Sequence, residues 1–213
     1  MTNIMTNTNK MTTTTTKATT TKATKINNGS TFNILNTYSE STLEELELGE
    51  AWYPIAHQFC VDLAKEYGCS LRASTGVVAA LSPRNRWENN MSDATNIIRY
   101  YLGGPDIPVH TYGRNRSKAL DILKGGDPNL VLGGNKVRSF YLNILNPNDE
   151  SIVTIDSHAY NVWQGAREVG VIVTDKDYKA ASLDYIAVAK HLGTKPLHAQ
   201  AVVWVTFRRI HNI

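Results

Sequence analysis

Asp156, Ser157 and His158 follow a β-branched run at 152–155, and Lys136 stands 20 residues before the aspartate, behind the adjacent glycines Gly133 and Gly134. An aspartate ahead of a short helical segment is a preferred N-cap, its side-chain oxygen accepting a backbone N–H of the first turn. Held rigidly, the same carboxylate is a fixed negative charge that can stabilise positive charge developing beside it. Lys136 is a point charge of the kind that holds a phosphate, and Gly133, Gly134 and Asn135 can turn backbone N–H groups toward the same phosphate at the start of the following helix. A glycine pair is also the mark of a plain turn. His158 reads as a hydrogen-bonded structural histidine that orders the aspartate loop.

The elements that must position these residues are helical. Ser41-Thr42-Leu43-Glu44 has capping-box spacing. After it, Trp52, Ile55, Phe59, Leu63 and Ala64 recur at helical intervals over 50–67, and Gly68 supplies the stop. Residues 71–81 are nearly all apolar or small, as in a helix buried on most sides, and Pro83 closes them. Over 87–102, Trp87, Met91, Ala94, Ile97, Ile98 and Tyr101 point inward. Short helices are expected over 113–123, 137–145 and 157–164, one turn at Asp127-Pro128-Asn129, and longer ones over 175–192 and 196–210. In the last, Val202, Val203, Val205, Thr206 and Ile210 pack inward. The runs 152–155 and 169–173 are too isolated to build a sheet and read as extended connectors. The fold class is all-α.

Bulk properties bound the rest. The 213 residues suffice for one domain or two small lobes sharing a core. Cys60 and Cys69 cannot make a disulfide framework or a four-cysteine metal cluster, and read as core thiols in a reducing, intracellular compartment. No metal site is expected among the histidines, and neither a membrane span nor a secretory signal. The net charge of +3 is uneven. Residues 1–39 hold four lysines and no acid, residues 40–68 seven acids and one lysine, and residues 69–146 ten basic groups against five acids. Such a basic middle permits contact with phosphates. Residues 1–39, rich in Thr, Lys and Asn, are expected to be a disordered tail.

The order and spacing over residues 70–165 resemble the helix-hairpin-helix DNA glycosylase superfamily of the endonuclease III-like kind. Leu132-Gly133-Gly134-Asn135-Lys136 stands where that family has its hairpin, and Ile155-Asp156-Ser157-His158-Ala159-Tyr160-Asn161-Val162 resembles its aspartate segment. Ala79-Ala80-Leu81-Ser82-Pro83-Arg84-Asn85 is similar to the apolar helix ending in Leu-Ser and a polar loop. Arg116-Ser117-Lys118-Ala119 resembles the basic helix before the hairpin. The glycines are adjacent where the family separates them, the iron–sulfur cysteines are absent, and Pro83-Arg84-Asn85 replaces a glutamine-rich loop. A set of phage proteins with a Leu-Ser-Pro-Arg motif and an Asp-x-His segment, thought to act on modified DNA bases, is more similar still.

The resemblance implies a two-lobed, all-α glycosylase fold over 40–213, with hairpin and catalytic segment at 127–165, acting on double-stranded DNA as a monomer without a cofactor. Asp156 would stabilise the oxocarbenium-like sugar as an N-glycosidic bond breaks. Lys136 would attack the sugar to form a Schiff base, or hold a phosphate. Gly133, Gly134, Asn135 and Arg138 would bind the backbone, and Arg84, Asn85 and Arg86 would contact phosphates or enter the minor groove, unless they are a solvated helix end. Ser157 and His158 would support the aspartate. Tyr100, Tyr101, Tyr141 and Trp163 are candidates for stacking on an extruded base, or plain core. Two other functions fit the same pattern: modification of an unusual base in phage DNA, and a non-catalytic DNA-binding module.

Overall fold

The computed structural model describes residues 31–213. The Thr/Asn/Lys stretch ahead of them, for which disorder is expected, lies outside the described residues. Among the described residues the secondary structure is helical throughout, with no strand. In order the helices are α1 (Thr31–Ser39), α2 (Leu43–Tyr67), α3 (Leu71–Leu81), α4 (Trp87–Tyr101), α5 (Gly113–Leu123), α6 (Pro128–Val131), α7 (Asn135–Leu145), α8 (Ser157–Gln164), α9 (Asp175–Leu192) and α10 (Pro196–His211).

Helix α1 corrects the expectation of a tail reaching residue 39. Its Ile34 is fully buried, and Asn33 Nδ2 donates to the Trp163 carbonyl at 3.1 Å, so tertiary packing orders a segment whose own composition is polar. The capping box of α2 lies one residue later than expected. Thr42 Oγ1 accepts from Glu45 N at 3.2 Å and Thr42 N donates to Glu45 Oε2 at 2.9 Å, while the Ser41 hydroxyl is engaged with Thr206 at 2.8 Å. Helix α2 runs unbroken through Pro54, which lies with Glu50 on the exposed side, where a carbonyl missing its helical donor can be hydrated. Its buried face is Tyr53, Ala56, Cys60, Leu63 and Ala64; Ile55, expected inward, is 61% exposed. Tyr101 and Ile210, also expected inward, are 43% and 38% exposed near the ends of their helices. Cys60 is a core thiol pushed up to about 12 by burial, and Cys69 packs against the same core from beyond the end of α2.

The buried side chains form two apolar clusters. The first gathers α2, α3, α4, α5 and α7 around Val77, Val78, Leu81, Ile97 and Tyr141. The second gathers α1, α8 and α9 around Ile34, Tyr160 and Tyr185. Helix α10 belongs to both: Leu197 and Ala201 enter the first cluster, Val203 and Phe207 the second. It lies so close along α2 that a Cβ on Gly49 would fall within 2.5–2.6 Å of Val202 side-chain and backbone atoms. No helix among the described residues is long and apolar enough to cross a membrane.

Candidate active site

The connector at 152–155 sets the site by its period of two. Val153 and Ile155 are buried in the second cluster, while Thr154 and Asp156, on the alternate positions, line a cleft of about 710 Å³. Tyr178 staples this run: its hydroxyl accepts from Ile155 N at 3.1 Å and donates to the Val153 carbonyl at 3.2 Å. Thr154 Oγ1 donates to Asn143 Oδ1 at 2.8 Å, tying the connector to α7. Asp156 is the N-cap of α8, as its place in the sequence implies: Oδ1 accepts from Ala159 N at 2.8 Å, and Oδ2 accepts from the Trp204 indole Nε1 at 3.1 Å. The same indole carries the Arg208 guanidinium 4.6 Å from its ring centre.

Lys136 lines the same cleft. Helix α7 starts at Asn135, two residues earlier than expected, which places Lys136 in its first turn, with Phe140 one turn on along the same cleft wall. Gly134, the N-cap, has φ of +78°, a conformation that glycine adopts without a Cβ penalty, and no side chain caps this end of α7. Gly133, Gly134 and Asn135 are outside the cleft lining. Asn135 Nδ2 donates to Asp175 Oδ1 at 2.8 Å, and Arg138 Nε donates to the Leu132 carbonyl at 2.9 Å, bracing the turn from behind.

Asn85 and Arg86 line the cleft from the loop before α4; Arg84 is exposed with φ of +54° and does not. The loop is anchored through the fully buried Asp93. Its Oδ2 accepts from Asn85 Nδ2 and His110 N, both at 2.9 Å, and its Oδ1 lies 2.8 Å from His110 Nδ1. Thr111 Oγ1 adds a bond to the Pro83 carbonyl at 2.8 Å. His158 lines the cleft, yet ring packing on Trp204 and Phe207 holds it, with centroids 6.2 and 5.8 Å away, where sequence suggested a hydrogen bond. Ser157 is exposed beside it and outside the lining.

None of the four aromatics singled out for stacking reaches the cleft. Tyr141 and Trp163 are core, with the Trp163 indole donating to Asp184 at 2.8 Å, and Tyr100 lies under Arg116. The cleft aromatics are instead Trp52, Tyr53, Trp87, Phe140 and Trp204. Trp52 packs on Trp87 at 5.1 Å and on Phe140 at 5.7 Å. Burial pushes the Tyr53 phenol far above its ordinary range, so it stays a donor, to Gln200 Oε1 at 3.2 Å. Sequence reasoning missed Gln200, Trp204 and Arg208, although their spacing of four puts a polar, an aromatic and a cationic side chain on one face of α10. Among the described residues no group of three or more His, Cys, Asp or Glu side chains gathers as metal ligands.

The site is thus a cleft between two apolar clusters, with one anchored carboxylate at Asp156, a second carboxylate at Glu88, one exposed amine, aromatic walls and further cations at Arg86 and Arg208. Such a cleft suits a ligand that joins an aromatic ring to a polar or anionic portion. No curated protein and no solved structure matches this chain. A family model described as a family of unknown function, DUF7178, matches residues 12–211, and the chain belongs to that family.

Proposed function

We propose that this chain is a helix-hairpin-helix DNA glycosylase-like enzyme that binds duplex DNA as a monomer, takes an extruded nucleotide into the cleft and breaks its N-glycosidic bond. The observation that carries the reading is that Asp156 and Lys136, chosen by sequence pattern, line one cleft with a group of aromatic side chains. The cleft's roughly 710 Å³ is in the range that holds a small organic ligand.

As the bond from C1′ to the base nitrogen breaks, its electron pair leaves with the base and the sugar becomes cationic. The Asp156 carboxylate opposes that charge. Each of its oxygens has one donor, which leaves a second lone pair on each, so the N-cap and the electrostatic role coexist. A water then gives its electron pair to C1′ and its proton passes to the departing base. Alternatively the neutral Lys136 amine attacks C1′ and gives one proton to the base, after which the C1′–O4′ bond breaks with its electron pair on O4′, the second amine proton moves there, and the opened sugar carries a Schiff base. The backbone of the DNA is assigned to the start of α7. Its first N–H groups have no side-chain cap, Lys136 and Arg138 flank it, and Lys118 Nζ lies 3.4 Å from where a Cβ would stand on Gly133. On the other wall, Arg86 is assigned to a phosphate contact or to the minor groove beside the extruded nucleotide.

The test is base release from duplexes carrying single damaged, mismatched or modified bases, with borohydride added to trap a lysine adduct. Asp156→Asn is expected to abolish release while duplex binding persists, and Lys136→Gln to remove any trapped adduct. Release unchanged in Asp156→Asn removes the catalytic reading and leaves a DNA-binding module. A base that gains mass and stays attached replaces excision by base modification.

A further inference from the structure

Asn85 and Asn90 both line the cleft, and the side-chain oxygen of each is buried without a hydrogen-bond partner. The amide orientations are set by their nitrogens. Asn85 Nδ2 donates to the Leu81 carbonyl at 3.2 Å and to Asp93 Oδ2 at 2.9 Å; Asn90 Nδ2 donates to the Val78 carbonyl at 3.1 Å. Turning either amide over would set oxygen against oxygen, so both Oδ1 atoms are fixed as acceptors. Asn90 is 2% exposed, and a buried acceptor left unmade is costly enough to call for a reason. Trp52 and Trp87, which line the cleft and pack on one another, offer the apolar faces that a planar ring needs.

We infer that this wall of the cleft reads the base: Asn85 Oδ1 and Asn90 Oδ1 accept hydrogen bonds from an amino-bearing base seated against Trp52 and Trp87. This rests on the proposed function and deepens it by naming the class of target, a base with an exocyclic amino group such as an adenine or cytosine derivative. A base with a carbonyl at that position sets an acceptor against two fixed acceptors and is disfavoured, since a site built around hydrogen bonds rejects the analogue that cannot make them. Both oxygens expose almost no surface to the cleft, so a donor reaches them only if the side chains of this wall give way slightly as the base seats.

The experiment measures anisotropy of labelled duplexes in which one nucleotide lies opposite an abasic site, so that little pairing opposes its extrusion. That nucleotide is adenine or hypoxanthine, and in a second pair cytosine or uracil, each on a 2′-fluoro sugar that resists cleavage. The expected result is binding about tenfold tighter for adenine over hypoxanthine and for cytosine over uracil, with the gap closing in Asn90→Leu and Asn85→Leu. Equal binding of all four, or a gap unchanged in leucine variants that melt cooperatively, overturns the inference while DNA binding stands. Should the leucine variants not fold, the wild-type comparison decides alone. Failure to bind any duplex sinks the proposed function itself, and this inference with it.

Discussion

The carboxylate of Asp156 has one donor on each oxygen, Ala159 N and the Trp204 indole, and the two can be separated by substitution. Asparagine caps a helix about as well as aspartate, so Asp156→Asn keeps the bond to Ala159 and removes the charge. It also sets an amide N–H against the indole N–H, a mismatch that belongs to geometry and not to charge. Trp204→Phe supplies the control: the indole donor goes and the charge stays. If the charge is what matters, base release falls about 100-fold or more in Asp156→Asn and only about tenfold in Trp204→Phe, with duplex affinity little changed in either. Equal losses in the two variants would show that the orientation of residue 156 matters and its charge does not. Asp156 was legible because an N-cap announces itself locally. Its indole partner was not, because 48 residues separate them and nothing local records that α10 passes over the start of α8.

At the scale of elements, the helices were legible wherever local signals agreed: Ser70 and Thr174 cap α3 and α9, Gly68, Gly165 and Gly193 end α2, α8 and α9, and apolar spacing fills the rest. Three of the misses share one cause, tertiary contact. Helix α1 is ordered by burial of Ile34, the α2 capping box moves because Ser41 bonds to α10, and Ile55 is left outside by a face centred on Ala56 and Cys60. Gly49 sets two effects against each other. Within a helix, glycine to alanine gains up to about 1 kcal/mol from propensity. Here the new Cβ would stand 2.6 Å from Val202 backbone atoms, which cannot swing aside as a side chain can. The steric effect prevails, and Gly49→Ala is expected to destabilise by about 1–3 kcal/mol in thermal melting. Gly113→Ala, at the first position of α5 with nothing within 4 Å, is expected to stay within about 0.5 kcal/mol of the parent. A stabilised Gly49→Ala would mean that α2 and α10 can part at little cost.

For the whole molecule, the cleft exists because two apolar clusters meet along one helix, and that meeting was the least legible feature of all. Aromatic residues at helical spacing carry no sign of whether they fill a core or edge a seam, so Trp52 and Trp87 read as core while Tyr141 and Trp163 drew attention. The charge pattern shows the same limit: the acidic start of α2 and the basic end of α10 are far apart in sequence and paired in space. Glu45, 6% exposed, accepts from Arg209 Nε at 2.7 Å and Nη2 at 3.2 Å, and Arg209 Nη2 also bonds the Glu40 carbonyl at 2.8 Å. This clamps α2 to the end of the helix that carries Trp204. The Arg209 hydrogen bond outweighs burial and holds the Glu45 carboxyl below its ordinary 4.5. A carboxyl with a lower pKa folded than unfolded binds fewer protons in the folded state, so its contribution is complete above about 4.5 and is lost as pH falls through the lower, folded value. Arg209→Met removes the main cause of the depression and leaves burial, which raises the pKa, opposed only by the hydrogen bonds from Thr42 and Thr206, which lower it. Thermal midpoints followed from pH 7 down to pH 3 should therefore fall less steeply for Arg209→Met than for the parent, from a lower starting point at pH 7. Parallel curves would show that Glu45 and Arg209 meet without coupling, and that Gly49 and its apolar neighbours alone hold α2 against α10.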